Sequence, residues 1–246
     1  MQLLIDLGNS RLKWAQHAAG LWRADAVLHD SEKNIESLFD KAWGTIAKPQ
    51  RVIACSVSSP ERLNALEQWT RTRWSVMPHI VRPQVEQLGV KNLYRKPEQL
   101  GADRWAALIG ARGLTDSAAC VVDAGTAVTV EALSAGGEFL GGAIFPGLRL
   151  LRDSLARGTV AIAPAEGSAA DCLSRSTADG VAAGTLFGLA GAVERLVDEY
   201  RRSLGEPMEI FLTGGDAPAL AAHLRVPATM VPDLVLKGLA RIADSL

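Results

Sequence analysis

Leu4-Ile5-Asp6-Leu7-Gly8-Asn9-Ser10 is echoed, close to half a chain length later, by Val121-Val122-Asp123-Ala124-Gly125-Thr126-Ala127. Each copy runs apolar, apolar, Asp, apolar, Gly, then small residues. Each leads into a β-rich run, Arg11 to Gln16 and Val128 to Leu133. Such a repeat predicts two related halves, each opening on a β-hairpin whose turn carries Asp-x-Gly. Taken alone, either stretch also reads as a plain hairpin with an Asp capping its turn.

Around these hairpins, strands and helices alternate. The first half is read as a buried strand over 51–56, a helix from Pro60 to about Arg73 with Ser59 as its cap, and a strand over 75–81. An irregular stretch over 83–100 precedes a helix over 101–114. In the second half, strands over 118–122, 128–133 and 138–144 lead to a helix opened by Pro146-Gly147, then to a loop over 159–172. A long helix follows over 177–204, with Leu186, Leu189, Val193, Leu196, Val197 and Tyr200 on one stripe. A strand over 208–212 ends in Thr213-Gly214-Gly215, and no element is assigned beyond it. This pattern predicts an α/β protein with halves at 1–116 and 117–246.

Composition narrows the function classes. The chain has 246 residues, 48% hydrophobic and 22% charged, with a formal net charge of −1. No Lys/Arg run offers the clustered basic footprint of a nucleic-acid binder, so no nucleic-acid partner is expected. The apolar stretch Val181 to Val193 is shorter than the roughly 20 residues a membrane span requires, and no signal peptide is seen, so a cytoplasmic protein without a membrane partner is expected. Cys55, Cys120 and Cys172 lack metal-ligand spacing and read as reduced thiols. His17, His29, His79 and His223 are scattered and read as structural. The six Trp show no interleaving with Lys or Arg and read as core or interface residues. Gly180, Gly184, Gly188 and Gly191 interrupt the long helix, each at roughly 1 kcal/mol relative to Ala. Close backbone packing inside the chain and a subunit interface both account for them.

The chemistry these residues permit is phosphoryl transfer. A glycine after a strand lets backbone N–H groups approach phosphate oxygens. Asp6 is suited to a hydrated Mg²⁺, and Arg11 and Lys13 share one strand face from which to neutralise phosphate charge. Two such hairpins facing each other across a cleft would clamp a triphosphate, and positioning with charge neutralisation is most of what this reaction needs.

The hairpins resemble the paired phosphate motifs of the acetate kinase, sugar kinase, Hsp70 and actin superfamily, and most closely those of type III pantothenate kinases. That family's Asp-x-Gly-Asn-Thr is matched by Asp6 to Ser10, with Ser for Thr. Its Asp-x-Gly-Thr-Ala-x-Thr is matched by Asp123 to Thr129. Its Tyr-x-x-Pro-x-x-Leu-Gly-x-Asp-Arg is matched by Tyr94, Pro97, Leu100, Gly101, Asp103 and Arg104. Its Gly-Gly-x-Ile-x-Pro-Gly is matched by Gly141 to Gly147. The family's Asn-Thr at the long helix start is Ser176-Thr177 here. Together the matches run in order over most of the chain.

The resemblance implies two actin-like (ribonuclease H-like) α/β halves with a cleft between them, and ATP-dependent phosphorylation of pantothenate, the first step of coenzyme A biosynthesis. It implies Asp103 as general base. ATP and its phosphates fall to Asp6, Leu7, Gly8, Asn9, Ser10, Arg11, Leu12, Lys13, Gly125 and Thr126. Substrate falls to Tyr94, Gly101, Ala102, Asp103, Arg104 and Thr177. Arg104 suits the substrate carboxylate. Mg²⁺ comes with ATP at Asp6, and a monovalent cation, K⁺ or NH₄⁺, at Asp123. The resemblance also implies a homodimer in which Thr177 comes from the neighbouring subunit. Two alternatives stand beside this: a superfamily kinase for another small hydroxy compound, which would lack the Tyr94 to Arg104 segment, and a non-catalytic regulator, which would have lost its carboxylates.

Overall fold

The computed structural model describes residues 1–29, 34–160, 162, 167 and 171–246. In chain order the elements are β1 (Gln2–Leu7), β2 (Arg11–Ala18), β3 (Leu21–Leu28), α1 (Ile35–Trp43), β4 (Arg51–Ser56), α2 (Pro60–Trp74), β5 (His79–Ile80), β6 (Glu86–Gln87), β7 (Val90–Asn92) and α3 (Ala102–Arg112). There follow β8 (Ala118–Ala124), β9 (Ala127–Leu133), β10 (Glu138–Pro146), α4 (Leu148–Gly158), α5 (Thr177–Leu204), β11 (Met208–Thr213), α6 (Ala217–Ala221), β12 (Thr229–Met230) and α7 (Leu234–Asp244). Most of the segment expected as a loop over 159–172 lies outside the described residues.

The chain forms two compact units, Met1–Leu114 with Asp233–Leu246, and Thr115–Pro232. In the first, the sheet order is β3-β2-β1-β4-β5, with β2 antiparallel to β1 and β3, and β4 parallel to β1 and β5. In the second, β10, β9 and β8 form the antiparallel meander and β11 and β12 the parallel continuation. The five strands of the first sheet and these five of the second thus repeat one topology, and the repeated Asp-x-Gly stretches occupy equivalent places at the end of β1 and of β8. This is the α/β duplication that the paired motifs predict.

Alternation along the strands puts different residues in the two cores. In the first unit, Leu3, Ile5, Leu7, Leu12 and Trp14 point into a core shared with Leu38, Phe39, Trp43, Leu66, Trp69 and Trp74. Its aromatic rings stack and abut edge to face, with Phe39 and Trp43 parallel at 5.0 Å. The second core is aliphatic: Cys120, Val122, Val128 and Val130 meet Leu186, Leu189, Val193 and Val197 of α5. By length and composition α5 would suffice to cross a membrane, yet its apolar stripe is spent on this core. Trp14, Trp43, Trp69, Trp74 and Trp105 are buried, as expected of core residues, and Trp22 is exposed.

Three expectations need correction. The strand expected over 75–81 shrinks to His79–Ile80, because Ser75 ends α2 in the left-handed conformation (φ 55°). Ser59 takes the N-cap position of α2 and Pro60 its first turn, but the Ser59 side chain makes no capping bond. A boundary at 116/117 assigns the C-terminal residues to the second half, whereas α7 packs in the first unit. The reason is a close crossing of α3 and α7: a Cβ on Gly238 would lie 1.8 Å from the Ala106 carbonyl oxygen, and one on Gly110 2.6 Å from that of Leu234. Only two helices whose backbones touch leave so little room.

Candidate active site

Asp6 and Lys13 are cross-strand partners in the β1–β2 register, on the sheet face opposite the core residues Ile5 and Leu12, so they meet directly. Lys13 Nζ lies 3.2 Å from Asp6 Oδ2. From the other neighbouring strand, the Cys55 thiol donates to Asp6 Oδ1 at 3.7 Å. Asp6 is therefore a buried carboxylate with each oxygen engaged, the arrangement a buried charge requires. Burial raises the Cys55 pKa well above its ordinary value, and the Asp6 and Asp103 carboxylates add to the rise. The start of α3 adjoins this hairpin through Val57, whose N–H donates to the Leu7 carbonyl at 3.2 Å and whose Cγ1 lies 3.6 Å from where a Cβ on Gly101 would stand.

Asp103 stands in the first turn of α3, where its Oδ1 accepts the Arg104 N–H at 2.7 Å. Gly101 makes room for it, since a Cβ there would approach Asp103 Oδ1 to 2.6 Å. The Arg104 guanidinium is buried over the Tyr94 ring, 5.5 Å from its centroid. Tyr94 is itself fixed by its N–H, which donates to Asn92 Oδ1 at 3.0 Å. Ala102 is buried beside them. Among the phosphate candidates, Leu7 and Leu12 have their side chains in the core, so only their backbones are available for ligand. Gly8, Asn9 and Ser10 form the turn, closed by the Gly8 N–H on the Arg11 carbonyl at 3.1 Å. Arg11 is exposed on the same strand face as Lys13.

The second unit builds its turn from backbone. Gly125 N–H donates to the Ala127 carbonyl at 3.0 Å, and Thr126 is exposed at the tip. The Ala124 carbonyl accepts the Asp216 N–H at 2.9 Å, and the Thr126 carbonyl the Gly147 N–H at 2.9 Å. Asp123 pairs across the ladder with Thr129, where Asp6 has Lys13. Thr213-Gly214-Gly215 closes over this turn: Gly214 has φ +98°, and a Cβ on it would lie 2.3 Å from the Ala124 oxygen. Thr177 is exposed at the first position of α5. Ser176 is the N-cap, its Oγ accepting the Asp179 N–H at 3.1 Å, so Ser in place of the family's Asn keeps a capping side chain. Among the described residues no group of three or more His, Cys, Asp or Glu could hold a metal by itself.

His29 has the structural place expected of the His residues, buried against the first turn with its Nε2 3.0 Å from the Gly8 carbonyl oxygen, though its contact with that turn is not among the sequence expectations. Cys55 was likewise read only as a reduced thiol. No local pattern announces either residue, because each reaches the turn through strand pairing.

Residues 2–199 match the family model of type III pantothenate kinase. The chain belongs to the type III pantothenate kinase family. A family member from Laribacter hongkongensis is 41% identical over 99% of this chain and 98% of its own length. Among solved structures, a Baf family transcriptional activator from Campylobacter jejuni superposes with a TM-score of 0.60 at 20% identity, covering 99% of this chain and 98% of that one. A 2-dehydro-3-deoxygalactonokinase protein from Sinorhizobium meliloti does so with 0.58 at 14% identity, over 100% and 99%. At these identities the likeness establishes the fold alone, an actin-like α/β architecture. As a member of this kinase family, the chain is an enzyme that uses ATP.

Proposed function

We propose that the chain transfers the γ-phosphoryl group of ATP to the primary hydroxyl of pantothenate, giving ADP and 4′-phosphopantothenate at the start of coenzyme A biosynthesis. The observation that carries this reading is the Asp6–Lys13 pair at the first Asp-x-Gly hairpin of a pantothenate kinase family member, with the Gly101–Asp103 start of α3 set against Val57, which bonds the Leu7 carbonyl of that hairpin. The hydroxyl oxygen attacks the γ-phosphorus as the bond to the ADP oxygen breaks, and Asp103 takes the hydroxyl proton. Arg104, stacked on Tyr94, receives the pantothenate carboxylate, with Gly101 and Ala102 forming the adjoining wall. Backbone and side chains of residues 7–13, with Gly125 and Thr126, hold the phosphates. Asp6 suits a Mg²⁺ arriving on those phosphates, since that cation keeps several waters and takes one or two carboxylates. Asp123 serves the monovalent cation, K⁺ or NH₄⁺. Coupled detection of ADP from ATP and Mg²⁺, with and without pantothenate, tests the reading. Pantothenate-independent release, or faster release with a sugar, would redirect it to another substrate.

The working unit in this reading is a cytoplasmic homodimer. Gly180, Gly184, Gly188 and Gly191 are exposed on α5, and a Cβ on any of them would meet nothing within 4 Å. Packing among the described residues does not call for these glycines, and close approach of a second α5 is the reading we adopt for them. Phe187, 39% exposed on the same helix, extends the face. Thr177 then completes the substrate site of the neighbouring subunit. Mixing Thr177→Ala with Asp103→Asn protein should restore up to roughly a quarter of wild-type activity under random subunit exchange. A monomer in sedimentation, or no recovery after confirmed exchange, argues against the shared site.

A further inference from the structure

The first phosphate turn is fixed from behind. His29, buried just after β3, bonds through Nε2 to the Gly8 carbonyl at 3.0 Å, and its backbone N–H donates to the Ser10 carbonyl at 3.0 Å. Between them, the Asn9 carbonyl accepts from Arg62 Nη1 of α2 at 3.2 Å. A carbonyl oxygen can only accept, so Nε2 carries the imidazole proton. The other ring nitrogen, Nδ1, is buried without a hydrogen-bond partner among the described residues. Among the described residues, the ring's one polar contact is thus the phosphate turn.

Peptide planarity gives these bonds a consequence. In a trans peptide the C=O of one residue and the N–H of the next point in opposite directions. Holding the Gly8 carbonyl on His29 therefore aims the Asn9 N–H away from His29. Holding the Asn9 carbonyl on Arg62 does the same for the Ser10 N–H. The turn so fixed keeps its acceptor oxygens on the protein, where they cannot repel an anion, and turns the Asn9 N–H to the other side. An electrostatic site set beforehand in this way loses nothing to reorganisation when ligand arrives.

We propose that His29 is a positioning residue for nucleotide binding, fixing the Gly8–Asn9 peptide plane so that the Asn9 N–H meets a phosphate of ATP. The proposal rests on the reading of this turn as an ATP phosphate site. His29→Phe keeps the ring and removes the Nε2 donor, and His29→Gln returns an N–H at a comparable reach. The expected result is a KM for ATP raised about tenfold in His29→Phe, equivalent to about 1.4 kcal/mol, with KM for pantothenate unchanged and the ATP value recovered at least in part in His29→Gln. Binding of a non-hydrolysable ATP analogue, followed by calorimetry, should weaken in parallel. A lower Tm in His29→Phe with unaltered KM for ATP and unaltered analogue affinity means that His29 only packs, and overturns the proposal. Asp6→Asn separates the two layers. If it weakens the analogue and His29→Phe does not, the positioning role alone falls. If neither variant affects the analogue, the phosphate reading of the turn falls, and the proposal with it.

Discussion

The two hairpin turns have the same place in duplicated sheets but are held by different means. The first is held by side chains: His29 and Arg62 reach its carbonyls, while Lys13 and Cys55 reach the Asp6 carboxylate beneath it. The second is held by backbone: the Asp216 and Gly147 N–H groups occupy its carbonyls, and Gly214 and Gly147 fit where no Cβ would. A turn held by side chains is weakened by removing atoms. A turn held by closely packed backbone is weakened by adding them. The two halves of one duplication should therefore fail under opposite kinds of substitution.

The largest effect should come from the carboxylate that accompanies the first turn. Asp103→Asn is expected to lower kcat about 10²- to 10⁴-fold, the usual loss of a general base, with Tm near that of the parent. Asp123→Asn, at the second turn, should instead raise the K⁺ or NH₄⁺ concentration needed for half-maximal rate. Steady-state rates with pantothenate, ATP and each cation varied separately decide this. Retention of more than about a third of kcat in Asp103→Asn would remove it as the base. A loss in Asp123→Asn that no cation concentration relieves would make the two turns chemically alike.

Adding one methyl group at the second turn ranks next. In Gly147→Ala the new Cβ would sit 2.1 Å from the Gly125 oxygen, and in Gly214→Ala 2.3 Å from that of Ala124 at a φ of +98°. Overpacking of this kind costs about 1–3 kcal/mol, read as a Tm lower by about 2–4 °C per kcal/mol in a chain of this size. Gly8→Ala at the first turn meets only the Arg11 oxygen at 3.0 Å and should cost less. Thermal melts of the three variants rank the turns, and equal losses would erase the distinction.

Much of this was legible because local signals and tertiary structure agree. The Asp-x-Gly repeats mark the two hairpins, and α5 begins and ends at Thr177 and Leu204 as its stripe and flanking residues indicate. Unassigned elements lacked such agreement. Six of the eight residues of β3 are exposed, so an edge strand there shows no alternation. In α7 the apolar face is strong, but Gly238 interrupts it, and its docking on α3 depends on a close approach no single segment encodes. The site followed the same rule. Asp6, Asp103 and Arg104 sit in motifs, whereas His29 acts on a carbonyl 21 residues earlier and Cys55 on a strand neighbour.

The smallest effect uses the cysteines as probes of the two turns. Cys55 lies under the first turn, bonded to Asp6, and Cys120 lies in β8, which leads into the second. Both are buried, and Cys172 is exposed. Burial pushes the Cys120 pKa up to about 12, aided by Glu131, and raises that of Cys55 as well. Since the thiolate is the reactive species, a raised pKa lowers reactivity at pH 8 on top of the steric protection. A chromogenic disulfide reagent should thus titrate Cys172 at once in the native protein and all 3 thiols after denaturation. Local opening then exposes each buried thiol separately. His29→Phe should quicken labelling of Cys55 and leave Cys120 unaffected, and Gly214→Ala should do the reverse, with peptide mapping assigning the label. Parallel acceleration of both thiols by either variant would mean that the turns open together, so that the contrast between side-chain and backbone support does not extend to their stability.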